Sequence, residues 1–142
     1  MIVNSTKELA DHMSIGYQIA HFNYILGTQR NTAFPNGFCG VSSRGVTLSL
    51  IKFGYPNAAY AYSKAYDHGY SILPFVFSQA DMNGIIIIDP TSDQLWDDKK
   101  LRNAVFLKLG TTWEYCTDWE REQTYFPTSS PISIRSGKYR AN

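Results

Sequence analysis

Cysteine is scarce in this chain, with only Cys39 and Cys116 among 142 residues. Small secreted domains held by disulfides carry a denser set of cysteines, and zinc sites carry closely paired ones. Neither pattern is present, so the sequence favours a reducing compartment and predicts no metal site. Cys116 lies near Trp113 and Trp119, and we expect it to pack in the core as a small hydrophobe.

Long apolar runs and an excess of charge of one sign are also missing. No run approaches the roughly 18 apolar residues that a membrane span needs, and the N-terminus lacks a charged segment followed by an apolar one. The 13 basic and 12 acidic residues give a formal net charge of +1, which disfavours nucleic acid and anionic membranes as partners. We expect a cytoplasmic protein, or one delivered to a target cell without a conventional signal peptide.

Aromatic residues, in contrast, are plentiful, with 10 Tyr and 8 Phe. A chain of this length fits one domain and can bury about 70% of the surface that it exposes when unfolded. We expect a single domain over residues 1–142, with a core over 6–125 and an extended or partly ordered tail over 126–142. The composition does not fix an oligomeric state.

The N-terminal part of the chain predicts a long helix followed by a loop. Ser5 and Glu8 have the spacing of a capping box, and apolar residues recur at helical intervals over residues 6–26. Residues 27–37 are polar and contain Gly and Pro, so they sustain neither a helical nor a strand period. We therefore expect them to form a loop that leads to Cys39.

Two further helices are predicted after this loop. From Cys39 onward, apolar residues recur at helical intervals as far as Gly54, which is expected to end the second helix. Pro56 suits the first turn of a third, short helix, because its missing N–H would be unpaired there in any case. Several alanines continue this segment, and Gly69 is expected to end it.

The second half of the chain predicts strands. Residues 72–77 and 85–89 are rich in β-branched and aromatic side chains, and the Asn-Gly pair within 78–84 favours a turn between them. Four consecutive isoleucines predict that the second strand is central and covered on both faces. Two more strands are expected over 104–109 and 111–115. The predicted fold class is α+β, with N-terminal helices packed on an antiparallel sheet.

Three residue types used in thiol catalysis follow one another along the chain. Cys39 lies in the first turn of a predicted helix, where free amide groups and the positive end of the helix dipole favour a thiolate. His68 precedes the first strand of the hairpin and Asp89 ends the second, so we expect both at one end of the sheet. An imidazole beside a thiol lowers the thiol pKa, and a carboxylate can hold the imidazole in one tautomer.

Each of these residues also has a plain structural explanation. A free cysteine is often a buried small hydrophobe, a histidine before a strand can lie on the surface or cap a helix, and Asp before Pro commonly starts a turn. The expected convergence at one end of the sheet is what favours catalysis. His12 and His21 lie nine residues apart on the first helix, about 180° apart around its axis, and are poor joint metal ligands.

Three short segments resemble the papain-like superfamily, in particular its transglutaminase-like branch. Gly37-Phe38-Cys39-Gly40 is similar to the nucleophile turn of that family, and Asp67-His68-Gly69 precedes the strand that should carry the base. Ile88-Asp89-Pro90-Thr91 is similar to its Asp-Pro-Thr segment. The resemblance covers residues 36–96 and implies a papain-like core. Compact domains of this kind resemble bacterial effectors and toxins that modify other proteins.

The resemblance implies a thiol-dependent amide hydrolase or acyl transferase that acts on protein or peptide substrates without a metal or organic cofactor. Cys39 would attack the carbonyl carbon, His68 would exchange protons with the leaving and attacking groups, and Asp89 would orient His68. An oxyanion donor upstream of the cysteine is also implied, and Gln29 and Asn36 are the candidates beside the backbone N–H of Cys39. Peptide cleavage, glutamine deamidation and transamidation stay open, with peptidase or deamidase expected.

Two other functions fit the same sequence. The chain could be a non-catalytic protein-binding domain on the same fold. It could also be a small structural protein in which Cys39, His68 and Asp89 are incidental. This last function requires that the helix buries the Cys39 thiol away from His68.

Overall fold

The computed structural model describes residues 1–30, 39–63, 67–92 and 104–110, which form two helices and a five-stranded sheet. The helices are α1 (Thr6–Arg30) and α2 (Cys39–Phe53). The strands are β1 (Ile2–Val3), β2 (Ala59–Ser63), β3 (His68–Phe77), β4 (Met82–Ile88) and β5 (Val105–Leu109). The α+β class is therefore as predicted, while the strand predicted over 111–115, Cys116 and the predicted tail lie outside the described residues.

The long strand β3 organises the sheet. One edge of β3 pairs antiparallel with β4, and β5 then pairs antiparallel with β4. The other edge is shared, because β2 pairs antiparallel with residues 68–72 and β1 pairs parallel with residues 76–77. The prediction of a wholly antiparallel sheet was wrong, since β1 makes the sheet mixed. A two-residue strand is too short to produce a periodic pattern in the sequence.

Helix α1 begins as predicted and ends later than predicted. The backbone N–H of Glu8 donates to Ser5 Oγ at 3.1 Å, as a capping residue requires. The helix then continues past Gly27 to Arg30, so the predicted loop was wrong over residues 27–30. One glycine in a helix costs only about 1 kcal/mol, and a cation in the last turn is favoured by the helix dipole. Among the described residues, neither helix has the apolar length that a membrane span needs.

The third predicted helix was wrong, because residues 59–63 form strand β2. Ala59 lies opposite Ile72 and Ser63 lies opposite His68. The alanines indicated a helix, but Ala-Tyr-Ala-Tyr-Ser alternates with a period of two, and tyrosine suits a half-buried sheet surface. Gly69, expected to end that helix, lies inside β3.

The isoleucine run is a covered central strand, as predicted. All four isoleucines of residues 85–88 are fully buried, and β4 lies between β3 and β5. Alternate isoleucines therefore enter the core on the side of the helices. The core cluster there includes Leu9, Ala20, Val46, Leu50, Leu73, Phe75, Ile86 and Ile88.

The hairpin turn lies at residues 78–81, and not at the Asn83-Gly84 pair as predicted. Both of these residues belong to β4, where Asn83 lies opposite Val76 and Gly84 lies opposite Phe75. Gly84 is needed for close packing. A Cβ at this position would collide with the Phe75 ring and approach the Lys108 carbonyl oxygen to 2.9 Å.

Replacement of Gly84 by Ala is therefore expected to destabilise the fold. The added methyl group meets a buried aromatic ring and a backbone oxygen, so the free energy of unfolding should fall by about 1–3 kcal/mol, the usual cost of overpacking. Urea denaturation followed by circular dichroism measures the change. Gln79→Ala, an exposed substitution in the turn, is the control, and equal stability of the two variants would contradict this role of Gly84.

Candidate functional site

The end of the β3–β4 hairpin nearest to the start of α2 brings the three predicted residues together. His68 is the first residue of β3, Asp89 directly follows β4, and Cys39 is the first residue of α2. The antiparallel pairing, with Ser71 opposite Ile88, places the start of β3 beside the end of β4. The residues are far apart in sequence and meet because α2 packs against this end of the sheet.

The His68–Asp89 pair is buried and closely bonded. His68 Nε2 lies 2.6 Å from Asp89 Oδ2, and both side chains are 0% exposed. The other carboxylate oxygen, Oδ1, accepts hydrogen bonds from the backbone N–H of Thr91 at 3.0 Å and from its hydroxyl at 3.2 Å. Asp89 therefore forms the turn expected before Pro90 with one oxygen, and orients His68 with the other.

The Cys39 thiol contacts the start of β3. Cys39 is 9% exposed, and the His68 imidazole and the backbone N–H of Gly69 lie close enough to its sulfur to lower the pKa of the thiol. It also lies 3.8 Å from the carbonyl oxygen of Asp67. As a thiol it can donate to this carbonyl, and as a thiolate it can accept from the imidazole and from Gly69. Because Asp89 holds Nε2 of His68, the buried Nδ1 is the ring nitrogen that could donate to a thiolate.

Electrostatics favour an ion pair between the sulfur and the imidazole. Burial on its own would raise the pKa of the Cys39 thiol, but the hydrogen bond and charge of His68 outweigh burial and lower that pKa from its ordinary value of 9.0. Burial would likewise lower the pKa of His68, but Asp89 outweighs it and raises this pKa to about 9. Both shifts stabilise a thiolate beside an imidazolium.

Three buried hydroxyl groups, which we call the hydroxyl seam, fix α2 on β3. Ser43 Oγ donates to the Gly69 carbonyl oxygen at 2.9 Å, and Ser71 Oγ donates to the Ser43 carbonyl oxygen at 2.7 Å. Thr47 Oγ1 lies 2.7 Å from Ser71 Oγ and 2.9 Å from the Ser43 carbonyl oxygen. The seam holds the helix that carries the thiol directly against the residue after His68.

The turn before His68 has a constrained backbone. Asp67 adopts a φ of 49°, in the left-handed region that Asp tolerates better than most residues. Its carboxylate accepts a hydrogen bond from the Tyr62 hydroxyl. This conformation directs the Asp67 carbonyl oxygen to the Cys39 sulfur.

Tyr60 of β2 is a site residue that the sequence did not identify. Its hydroxyl lies 3.4 Å from the position that a Cβ on Gly40 would occupy, and the Arg44 guanidinium lies 5.1 Å from the centre of its ring. The segment was predicted as a helix, and a helix does not present Tyr60 to the thiol. The alternation of Ala and Tyr was the signal that could have indicated a strand.

One of the two predicted oxyanion side chains lies within the described residues. Gln29 is exposed in the last turn of α1, and not in a loop. Asn36 lies outside the described residues. The backbone N–H of Cys39, the third predicted donor, is at the start of α2.

The other histidines have structural partners. His12 Nδ1 lies 2.7 Å from the Tyr55 hydroxyl, and His21 stacks on Tyr17. Within the described ranges, no group of three or more His, Cys, Asp or Glu residues is placed to hold a metal ion.

Removal of the central hydroxyl of the seam should destabilise the protein. Thr47→Val keeps the shape of the side chain but loses its contacts with Ser71 and the Ser43 carbonyl oxygen, and we expect the free energy of unfolding to fall by about 1–2 kcal/mol. Ser49→Ala is the matched control, because Ser49 also donates to a carbonyl one turn earlier in α2 but does not belong to the seam. If urea denaturation shows the same loss of unfolding free energy in both variants, the seam adds no stability of its own.

The pKa of His68 should depend on Asp89. In a Cys39→Ala background, NMR titration should give His68 a pKa above 6.5, and adding Asp89→Asn should move it below 6.5, because burial then acts without the carboxylate. In the Cys39→Ala protein, the stability contributed by this raised pKa is fully present below pH 6.5 and is lost as the pH rises through the pKa of His68. An unchanged His68 pKa in the Asp89→Asn variant would contradict the hydrogen bond between His68 and Asp89.

The chemistry of this site is inferred from its geometry, because comparison with known proteins found no match. No protein-family model, curated protein or solved structure matches the chain. The papain-like resemblance therefore stays a prediction from three short segments.

Proposed function

We propose that the protein is a thiol-dependent amide hydrolase or acyl transferase, of the peptidase or protein-glutamine deamidase type, that acts on proteins or peptides. One observation carries the proposal: the Cys39 sulfur lies at the start of β3, 3.8 Å from the carbonyl oxygen of the residue before His68, and Asp89 holds the His68 imidazole there at 2.6 Å. A papain-like or transglutaminase-like core is part of the proposal. It is supported by the order of a helix-borne cysteine followed by a histidine and an aspartate on paired strands.

The roles of the three residues follow from their protonation. The Cys39 thiolate attacks the amide carbon, so that an S–C bond forms and the carbonyl π electrons move to oxygen. The His68 imidazolium gives its proton to the leaving nitrogen as the C–N bond breaks, and an acyl-enzyme remains. Neutral His68 then takes a proton from water or an amine, which attacks the acyl carbon and releases the sulfur. Asp89 keeps His68 oriented and stabilises its cation throughout.

An amide is the substrate class that this electrostatic arrangement suits. An amine is a poor leaving group unless it is protonated, whereas a thiolate leaves without a proton. Asp89 raises the pKa of His68 to about 9, so a proton is available beside the sulfur at neutral pH. The released amine would be ammonia from a glutamine side chain or the new N-terminus of a cut peptide.

A structural protein with an incidental cysteine is disfavoured by the same contacts. That function requires the Cys39 thiol to lie away from His68, whereas the sulfur lies at the turn that leads into His68 and the imidazole is near enough to lower the pKa of the thiol. A structural role also gives no reason to bury a carboxylate whose oxygen lies 2.6 Å from the imidazole, because an apolar pair of the same volume is often at least as stable.

The proposal is tested by incubating the protein with casein and a primary-amine reporter. Ammonia release, new N-termini and reporter incorporation are measured in parallel. We expect one of the three products from the native protein and none from Cys39→Ala, because this substitution removes the nucleophile alone. Asp89→Asn should retain more activity than Cys39→Ala, since it disturbs only the orientation and charge of His68.

Cys116→Ala is the control and should keep full activity. Equal product formation by the native protein and Cys39→Ala would exclude the mechanism. No product from either, together with slow alkylation of Cys39 at neutral pH, would favour a non-catalytic binding domain.

A further inference from the structure

The Tyr60 hydroxyl lies against both glycines that flank the Cys39 sulfur. Gly40 follows the cysteine in α2, and a Cβ there would lie 3.4 Å from this hydroxyl. The backbone N–H of Gly69 lowers the pKa of the thiol, and a Cβ on Gly69 would collide with the same hydroxyl and lie 3.0 Å from the ring carbon that bears it. A side chain at position 69 would therefore displace the phenol, whereas a Cβ on Gly40 would make an ordinary contact with it.

Arg44 prepares this hydroxyl to donate. The guanidinium lies over the Tyr60 ring, at 5.1 Å from its centre. Arginine has only donors, so it can approach the phenol oxygen only as a donor and leaves the phenol hydrogen for another partner. Burial raises the pKa of Tyr60 above 10.0, so the hydroxyl stays protonated. A cation behind a donor also polarises the donor and strengthens the next hydrogen bond.

Attack on a carbonyl carbon creates a negative oxygen that needs donors in fixed positions. The backbone N–H of Cys39, at the start of α2, can supply one. Gln29 is exposed in α1 and is not among the groups that contact the thiol. Tyr60 is a neutral donor that lies against the residue after the nucleophile.

We propose that the Tyr60 hydroxyl is the side-chain oxyanion donor of this site, and that Arg44 is the residue that positions it. The substrates it serves are acyl compounds whose carbonyl carbon is attacked by Cys39. This inference rests on the proposed function and extends it, because it names a catalytic residue contributed by β2.

Two reagents separate this role from a merely structural one. With p-nitrophenyl acetate, the Cys39 thiolate bonds to the acetyl carbon and the carbonyl π pair moves to oxygen. The electron pair on this oxygen then re-forms the carbonyl double bond, and the C–O bond to the p-nitrophenolate leaving group breaks. With iodoacetamide, the thiolate displaces iodide from a saturated carbon, and no oxyanion forms. An oxyanion donor should therefore affect acylation and leave alkylation unchanged.

The experiment measures both rates for the native protein and Tyr60→Phe, after subtraction of the rates of Cys39→Ala. We expect Tyr60→Phe to slow acylation about 10²- to 10³-fold, the loss typical of removing one oxyanion donor, with alkylation unchanged. Tyr55→Phe is the matched control. It loses the same hydroxyl group from a tyrosine that bonds His12 beyond the other end of α2, and both of its rates should equal those of the native protein.

A double-substitution cycle tests Arg44. Arg44→Leu should slow acylation less than Tyr60→Phe, and should add nothing in a Tyr60→Phe background, because Arg44 acts through the phenol. Additive losses from Arg44→Leu and Tyr60→Phe would overturn its positioning role.

The remaining outcomes separate this proposal from the proposed function. If the native protein is alkylated fast and Tyr60→Phe is acylated at the native rate, the oxyanion role alone is overturned. An equal loss in acylation and alkylation would overturn it too, since Tyr60 would then act on the thiol itself. Slow alkylation of native Cys39 at neutral pH would overturn both proposals.

Discussion

The buried pair of His68 and Asp89 is the constraint on which this end of the molecule depends. A charged group buried alone costs several kcal/mol, so each of these side chains is tolerable only beside the other. The pair can form only in the observed register of β3 against β4, because a slip of one residue turns every side chain to the opposite face of the sheet. The same bond sets the protonation of His68 and, through it, that of the Cys39 sulfur.

Groups that favour charges of opposite sign lie beside one another in the site. Asp89 raises the pKa of His68 and so favours the imidazolium, and His68 lowers the pKa of Cys39 and so favours a thiolate. The Arg44 guanidinium lies over the ring of Tyr60 nearby. Such an arrangement holds several charges in a poorly solvated region while each one has an opposite neighbour.

The sequence predicted what depends on local pattern and missed what depends on distant partners. The isoleucine run and the helix that begins at Cys39 have strong periodic signals, and the predicted hairpin put His68 and Asp89 at one end of the sheet, where the structure has them. Strand β2 was missed because the alanines were weighed as helix formers, whereas its strand state comes from pairing with β3. Tyr60 was missed for the same reason. The Asn83-Gly84 pair indicated a turn, but packing against Phe75 requires the glycine.

The hydroxyl seam has a consequence for how the helix can move. Apolar contacts are nondirectional, so a helix held by them alone can slide along a sheet at modest cost. A hydroxyl bond is either made or broken, and the next equivalent position on α2 is one turn away, or about 5.4 Å. A slip of that size would carry the sulfur out of reach of the imidazole. The seam therefore makes the docking of α2 discrete, and in any one molecule the sulfur is either beside the imidazole or out of its reach.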